Sequence, residues 1–142
     1  MGLNEIILLI ASGQIGTSEN VDEPRILSYF HEIGHKWVKT DDTAWCAAFV
    51  NWVLKNAHIE GTGRLNARSF LELGDDVPLR KAREGDLVVF WRGSKGGALG
   101  HVGFYMGENG KDIFVLGGNQ ANKVCIAKYP IKRLLSVRKL DW

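Results

Sequence analysis

The pattern of apolar and polar positions changes near the middle of the chain. In the first seventy-odd residues apolar positions recur at helical spacing; beyond Pro78 they alternate as in strands. The strongest helical segment runs over residues 43–54. Its apolar positions fall at 45, 48, 49, 52 and 53, and again at 46, 49, 50 and 53, with only Asn51 and Lys55 as a polar edge. A helix of this kind should be buried on nearly all sides. A short amphipathic helix is expected over residues 4–12, ended by Gly13 or Gly16, followed by a polar loop at 18–23. Pro24 suits the first turn of a second helix reaching about Gly34. A turn at 60–63 precedes a short helix over 67–73, with Asn66 as its cap and Gly74 as its stop.

The second half reads as about five strands, near residues 86–92, 102–106, 113–116, 123–128 and 134–137. Glu108-Asn109-Gly110-Lys111 is a hairpin turn between the second and third, and four glycines between 93 and 100 mark a flexible loop. Helices first and an antiparallel sheet second make an α+β domain. At 142 residues this is expected to be one domain with a real core.

Composition narrows the picture. A net charge of +2 is too mild to indicate nucleic acid, though it suits an anionic polymer. No run has transmembrane length, and the apolar stretch 6–11 follows Asn4 and Glu5 without a basic leader, so neither a membrane anchor nor a signal peptide is expected. Cys46 and Cys125 are therefore expected as reduced thiols. His31 and His35 are four apart but lack a third ligand, and no metal or cofactor site is expected.

Cys46 is the leading candidate for chemistry. Asp41, Asp42 and Thr43 are capping types, which places Cys46 in the first turn of the central helix. Unpaired amides and the helix dipole there favour a thiolate. The competing reading is a small apolar core residue. A thiol nucleophile needs a base. His101 starts a strand, on the face opposite Val102 and Phe104 and shared with Gly103. A glycine beside it permits close approach of another element, and the Cys46 helix is the natural one. The base in turn needs an orienting group. Antiparallel pairing brings the end of the next strand, with Asn119 and Gln120, beside the start of the His101 strand. Either amide can serve.

Four blocks together resemble the NlpC/P60 and CHAP superfamily of papain-like peptidoglycan amidases and peptidases. They are Trp45-Cys46-Ala47-Ala48-Phe49-Val50-Asn51-Trp52, Gly85-Asp86-Leu87-Val88-Val89-Phe90, Gly100-His101-Val102-Gly103-Phe104-Tyr105 and Leu116-Gly117-Gly118-Asn119-Gln120. The stretch 66–71 is similar to a phage-associated bacterial subgroup. The resemblance implies a papain-like domain that cleaves an amide bond of the cell wall without a cofactor. In that reading Cys46 is the nucleophile, His101 the base and Asn119 the orienter, with Gln120 its competitor. It implies peptidoglycan as partner, neither nucleic acid nor membrane, and a monomer. With no separate wall-binding module recognised, a larger phage or secretion assembly, or an immunity protein, are further expected partners. The expected place of action is the periplasm or wall, after export or release, whether as an endolysin, a toxin or a remodelling enzyme. The rival readings are a thiol acyltransferase or protein peptidase with the same residues, and a catalytically silent wall-binding module.

Trp45, Trp91, Glu19 and Gln120 are the candidate substrate contacts. For the two tryptophans core packing competes, and for Glu19 a loop or capping role. Asp42 is read as a cap or an electrostatic neighbour of the cysteine. Arg68 and Ser69 are expected to face solvent or substrate, and Lys132, Arg133, Arg138 and Lys139 to form a solvated face.

Overall fold

The computed structural model describes residues 2–41 and 43–140. Three α-helices come first: α1 (Leu3–Ser12), α2 (Glu23–His31) and α3 (Cys46–Asn56). Pro24 lies in the first turn of α2, as its fixed φ and missing N–H allow. The 67–73 segment is a 3-10 helix, Ala67–Glu72.

The sheet has six strands rather than five: β1 (Asp75–Val77), β2 (Leu87–Trp91), β3 (Gly100–Glu108), β4 (Asp112–Gln120), β5 (Lys123–Pro130) and β6 (Leu134–Lys139), in the order β1-β6-β2-β3-β4-β5. Every pairing is antiparallel. The unexpected strand, β1, is three residues long and begins with two aspartates, a residue type depleted in strands. Its pairing with β6 defines it, and no local pattern announces it.

The helices cover one face of the sheet. Buried side chains of α3 share a core with Leu87, Val89, Val102, Phe104 and Leu116. Tyr29 of α2 packs its ring against Trp45, Phe49 and Trp52, with centroids 5.1 to 6.0 Å apart, and so ties α2 to α3. The opposite face holds a second cluster, Val88, Phe90, Tyr105, Ile113, Val115 and Val137, with Tyr129 packed against it. Tyr129 of β5 stacks on Phe90 of β2 at 5.1 Å, although β3 and β4 lie between those strands. Three strand spacings would separate them by about 14 Å in a flat sheet, so the sheet curls toward this face.

The glycine that admits α3 is not the expected one. A Cβ on Gly103 would meet Val115 Cγ1 at 2.3 Å, on the face away from the helices. A Cβ on Gly118 would meet Trp45 at 2.7 Å and Phe49 Cβ at 2.8 Å. Gly118 is therefore the contact point of helix and sheet, and Gly103 relieves crowding inside the curl.

Candidate active site

Cys46 is the first residue of α3, and Trp45 occupies the N-cap position without a side-chain cap. The aspartate expected to cap is otherwise engaged: Asp41 is buried and accepts the amide of Asn20 at 2.6 Å. Asp42 lies outside the described residues. The first-turn amides are thus left for other acceptors. The backbone N–H groups of Cys46, Ala47 and, across the interface, Val102 lie near enough to the thiol to favour its thiolate. Burial pushes the thiol pKa up, while these amides and the Arg92 guanidinium pull it down more weakly. Cys46 is buried, with 7% exposure.

His101 is the second residue of β3 and is buried on the face away from the helices. Its ring lies nearly parallel to that of Tyr129, centroids 4.5 Å apart and 15° between planes. Its Nε2 is 2.8 Å from Oε1 of Gln120. The orientation of the Gln120 amide is set by its other end, because Nε2 donates to the carbonyls of Val115 at 3.1 Å and Cys125 at 2.7 Å. Oε1 must then be the atom facing the ring, and a carbonyl oxygen only accepts. His101 therefore carries its proton on Nε2, and Nδ1 is the basic nitrogen. Burial lowers the imidazole pKa to about 4, against the raising effect of Gln120. At neutral pH the ring is neutral and able to take a proton.

The link between thiol and imidazole is Val102, the residue after His101, whose backbone N–H is among the groups that favour the Cys46 thiolate. Among the described residues no hydrogen bond joins them directly.

The amide bonded to the His101 ring is that of Gln120 and not, as expected, that of Asn119. Phe104 pairs with Leu116, so an unbroken register would set Asn119 opposite His101. The register of β4 on β5 slips by one between Gly117 and Gln120, and Asn119 adopts a left-handed φ of 57°. A bulge reverses the alternation and turns Gln120 inward. Gln120 is buried, whereas Asn119 is half-buried and its side chain has no hydrogen-bond partner among the described residues. Gly117 makes room for the bond, since a Cβ there would come within 2.6 Å of Gln120 Oε1 and 3.4 Å of His101 Nε2.

The other candidates are placed as follows. Trp45 is fully buried, so it shapes the site from behind and offers no face to a ligand. Its Nε1 donates to Glu19 at 2.7 Å, which gives Glu19 a structural partner in place of a ligand. Trp91 is half-buried, and the Arg133 guanidinium sits 5.1 Å from its ring centroid, so one face is taken. Arg68 is half-buried and donates to the carbonyls of Ser94, Lys95 and Leu99, which pins the glycine-rich loop next to His101. Arg138, expected on a solvated face, donates to the carbonyls of Leu73 and Gly74. Both cysteines are free thiols.

Two residues escaped the sequence reading. Tyr129 lies on β5, and only the curl of the sheet brings it to His101. Arg92 follows β2 and lines a pocket with His101, Asn119, Gln120, Ala121, Asn122 and Tyr129. Its place directly before the glycine-rich loop was the one available signal.

Comparison with solved structures gives the same fold. The P60 domain of an antigen from M. avium subspecies paratuberculosis aligns with a TM-score of 0.64 at 17% identity, covering 99% of this chain and 96% of that one. RipB of Mycobacterium tuberculosis, described as a peptidoglycan hydrolase, aligns at 0.63 and 19% identity, covering 99% of this chain and 65% of that one. RipD from the same organism, described as a non-catalytic NlpC/p60 domain protein adapted to peptidoglycan binding, aligns at 0.62 and 12% identity, covering 99% and 98%. No curated protein matches the sequence. The family model for the CHAP domain matches residues 38–119, which span Cys46, His101 and Asn119 and more than half of the chain, and the protein therefore belongs to the CHAP domain family.

Proposed function

We propose that this protein hydrolyses an amide bond of peptidoglycan, with Cys46 as nucleophile, His101 as base and Gln120 as the group that holds the base. One observation carries the reading: Gln120 fixes His101 with Nδ1 unprotonated, one residue before Val102, whose backbone N–H favours the Cys46 thiolate. The thiol and the imidazole are both biased toward their neutral forms. The reaction then begins with general-base attack. Cys46 adds to the substrate carbonyl as its proton passes to His101 Nδ1. The amides at the start of α3 would then stabilise the developing oxyanion, as helix N-termini can. His101 returns the proton to the leaving amine, and a thioester remains on Cys46. Water, deprotonated by His101, releases the acid and restores the thiol. In resting sites such contacts are often loose and tighten when substrate binds, which accommodates a thiol and imidazole not yet bonded to one another. The action is placed at the cell wall, reached by export or by release from a phage or secretion assembly.

The rival reading is a wall-binding module without catalysis, as RipD is described. It is favoured by the depth at which the thiol is buried. Incubation of purified sacculi with the protein and with Cys46→Ala, followed by mass spectrometry of the soluble fragments, separates the two. Hydrolysis predicts new amino and carboxyl termini with the native protein alone. Retention of the protein on sacculi with no new termini would establish the binding module.

A further inference from the structure

Three arginines stand at the active-site end of the sheet, and they differ in what they touch. The guanidinium of Arg68 is used up on three carbonyls. Arg133 lies over Trp91. The Arg92 side chain is exposed and has neither a carboxylate nor a carbonyl partner among the described residues. It borders the pocket whose other walls are His101, Asn119, Gln120, Asn122 and Tyr129. Arg92 is the one charged side chain among the pocket's lining residues. Asn119, freed from His101 by the bulge, adds an amide with no partner, and Asn122 adds another at the rim. Ala121 and Asn122 continue the left-handed backbone of this turn, with φ of 50° and 62°. An alanine held there is strained by about 1 kcal/mol or more, and strain of this kind collects at ligand sites.

We propose that Arg92, with the amides of Asn119 and Asn122, forms an anion subsite that takes a free carboxylate of the wall peptide. The inference rests on the peptidoglycan reading above and deepens it. Stem peptides of peptidoglycan carry carboxylates on the branch of the γ-linked glutamyl residue and at the chain end. A planar guanidinium with unused N–H groups suits either one by paired hydrogen bonds. The position has a consequence for the chemistry. An unneutralised Arg92 lies close enough to both reacting groups to favour thiolate and to oppose imidazolium. A docked carboxylate cancels that field, so His101 becomes a better base once the correct substrate is seated.

The test uses the full chain carrying Cys46→Ala, which binds without turnover. Three synthetic stem tetrapeptides serve as probes: one with both carboxylates free, one amidated on the glutamyl branch and one amidated at the chain end. Titration calorimetry should show that one amidation weakens binding by about ten- to a hundredfold, as expected for a lost charge-assisted bond. That difference should fall below about threefold when Arg92→Gln is added, and Arg92→Lys should keep part of it. Whichever amidation matters names the carboxylate. The proposal is overturned if Arg92→Gln weakens all three peptides alike, if it weakens none, or if no peptide binds. Hydrolysis is scored separately, by native protein on sacculi. A charge preference that depends on Arg92 in a protein that cuts nothing would keep the subsite and reject the enzyme.

Discussion

The two faces of the sheet are built from different materials. The helix-covered face joins Leu87, Val89, Val102, Phe104 and Leu116 to Trp45, Ala48 and Phe49, apolar groups throughout. The opposite face mixes Val88, Phe90 and Val115 with the buried polar groups His101 and Gln120. A buried polar group is costly unless it is hydrogen-bonded. Here His101 and Gln120 satisfy each other, and backbone carbonyls satisfy the rest of the glutamine. The first face supplies stability and presents a helix end. The second supplies a base with a fixed tautomer. The proposed chemistry joins the two faces, since Cys46 opens the helix packed on one side of β3 and His101 lies on the other.

The sharpest way to separate the faces is to remove the nucleophile. Cys46→Ala should abolish release of wall fragments, a loss of about 10⁴-fold or more in kcat, as for other nucleophile deletions. Thermal unfolding should stay near that of the native protein, because alanine fits an apolar first turn. Residual activity near the native level would place the nucleophile elsewhere. The reverse signature belongs to the helix-covered face. Phe49→Ala removes a fully buried ring beside Gly118 and should cost about 3–5 kcal/mol in urea unfolding. The fraction that remains folded should retain the native kcat. A stability loss below about 1 kcal/mol would mean that this face is not the main source of stability.

The polar face breaks in a smaller and more selective way. Gln120→Ala leaves nucleophile and base in place but frees the ring, and kcat should fall about 10²-fold. Asn119→Ala should leave kcat within about threefold and act on KM, since its amide faces the pocket and not His101. The opposite ranking would return the orienting role to Asn119.

These pairs also mark how far the sequence could be read. The α3 helix, the strand positions and the order of the four motif blocks were visible because helical spacing and strand alternation are local patterns. The choice between Asn119 and Gln120 was not. Alternation along β4 favours Asn119, and the one-residue slip that reverses it becomes visible only in the pairing of β4 with β5. The same limit hid β1, which exists through β6, and Tyr129, which reaches His101 only because the sheet curls. Arg68, Arg133 and Arg138 read as solvated charge because their partners are carbonyls and a ring distant in sequence. Glycine showed the point in miniature. The sequence reading gave the close approach to Gly103, and only the packed fold shows that Gly118 admits the helix.

The claim that joins the two faces is that Gln120 fixes the tautomer of a His101 kept neutral by burial, with the proton on Nε2 and Nδ1 free for the thiol. Nitrogen-15 NMR of the histidine rings reads this directly, with the His101 signals assigned by their loss in His101→Phe. The account predicts a protonated Nε2 and an unprotonated Nδ1 at neutral pH. It also predicts no imidazolium until the pH falls toward about 4, where burial has moved the group from its ordinary 6.5. In Gln120→Ala the single tautomer should give way to a mixture. A proton on Nδ1 in the native protein, or a His101 that titrates near 6.5, would contradict it.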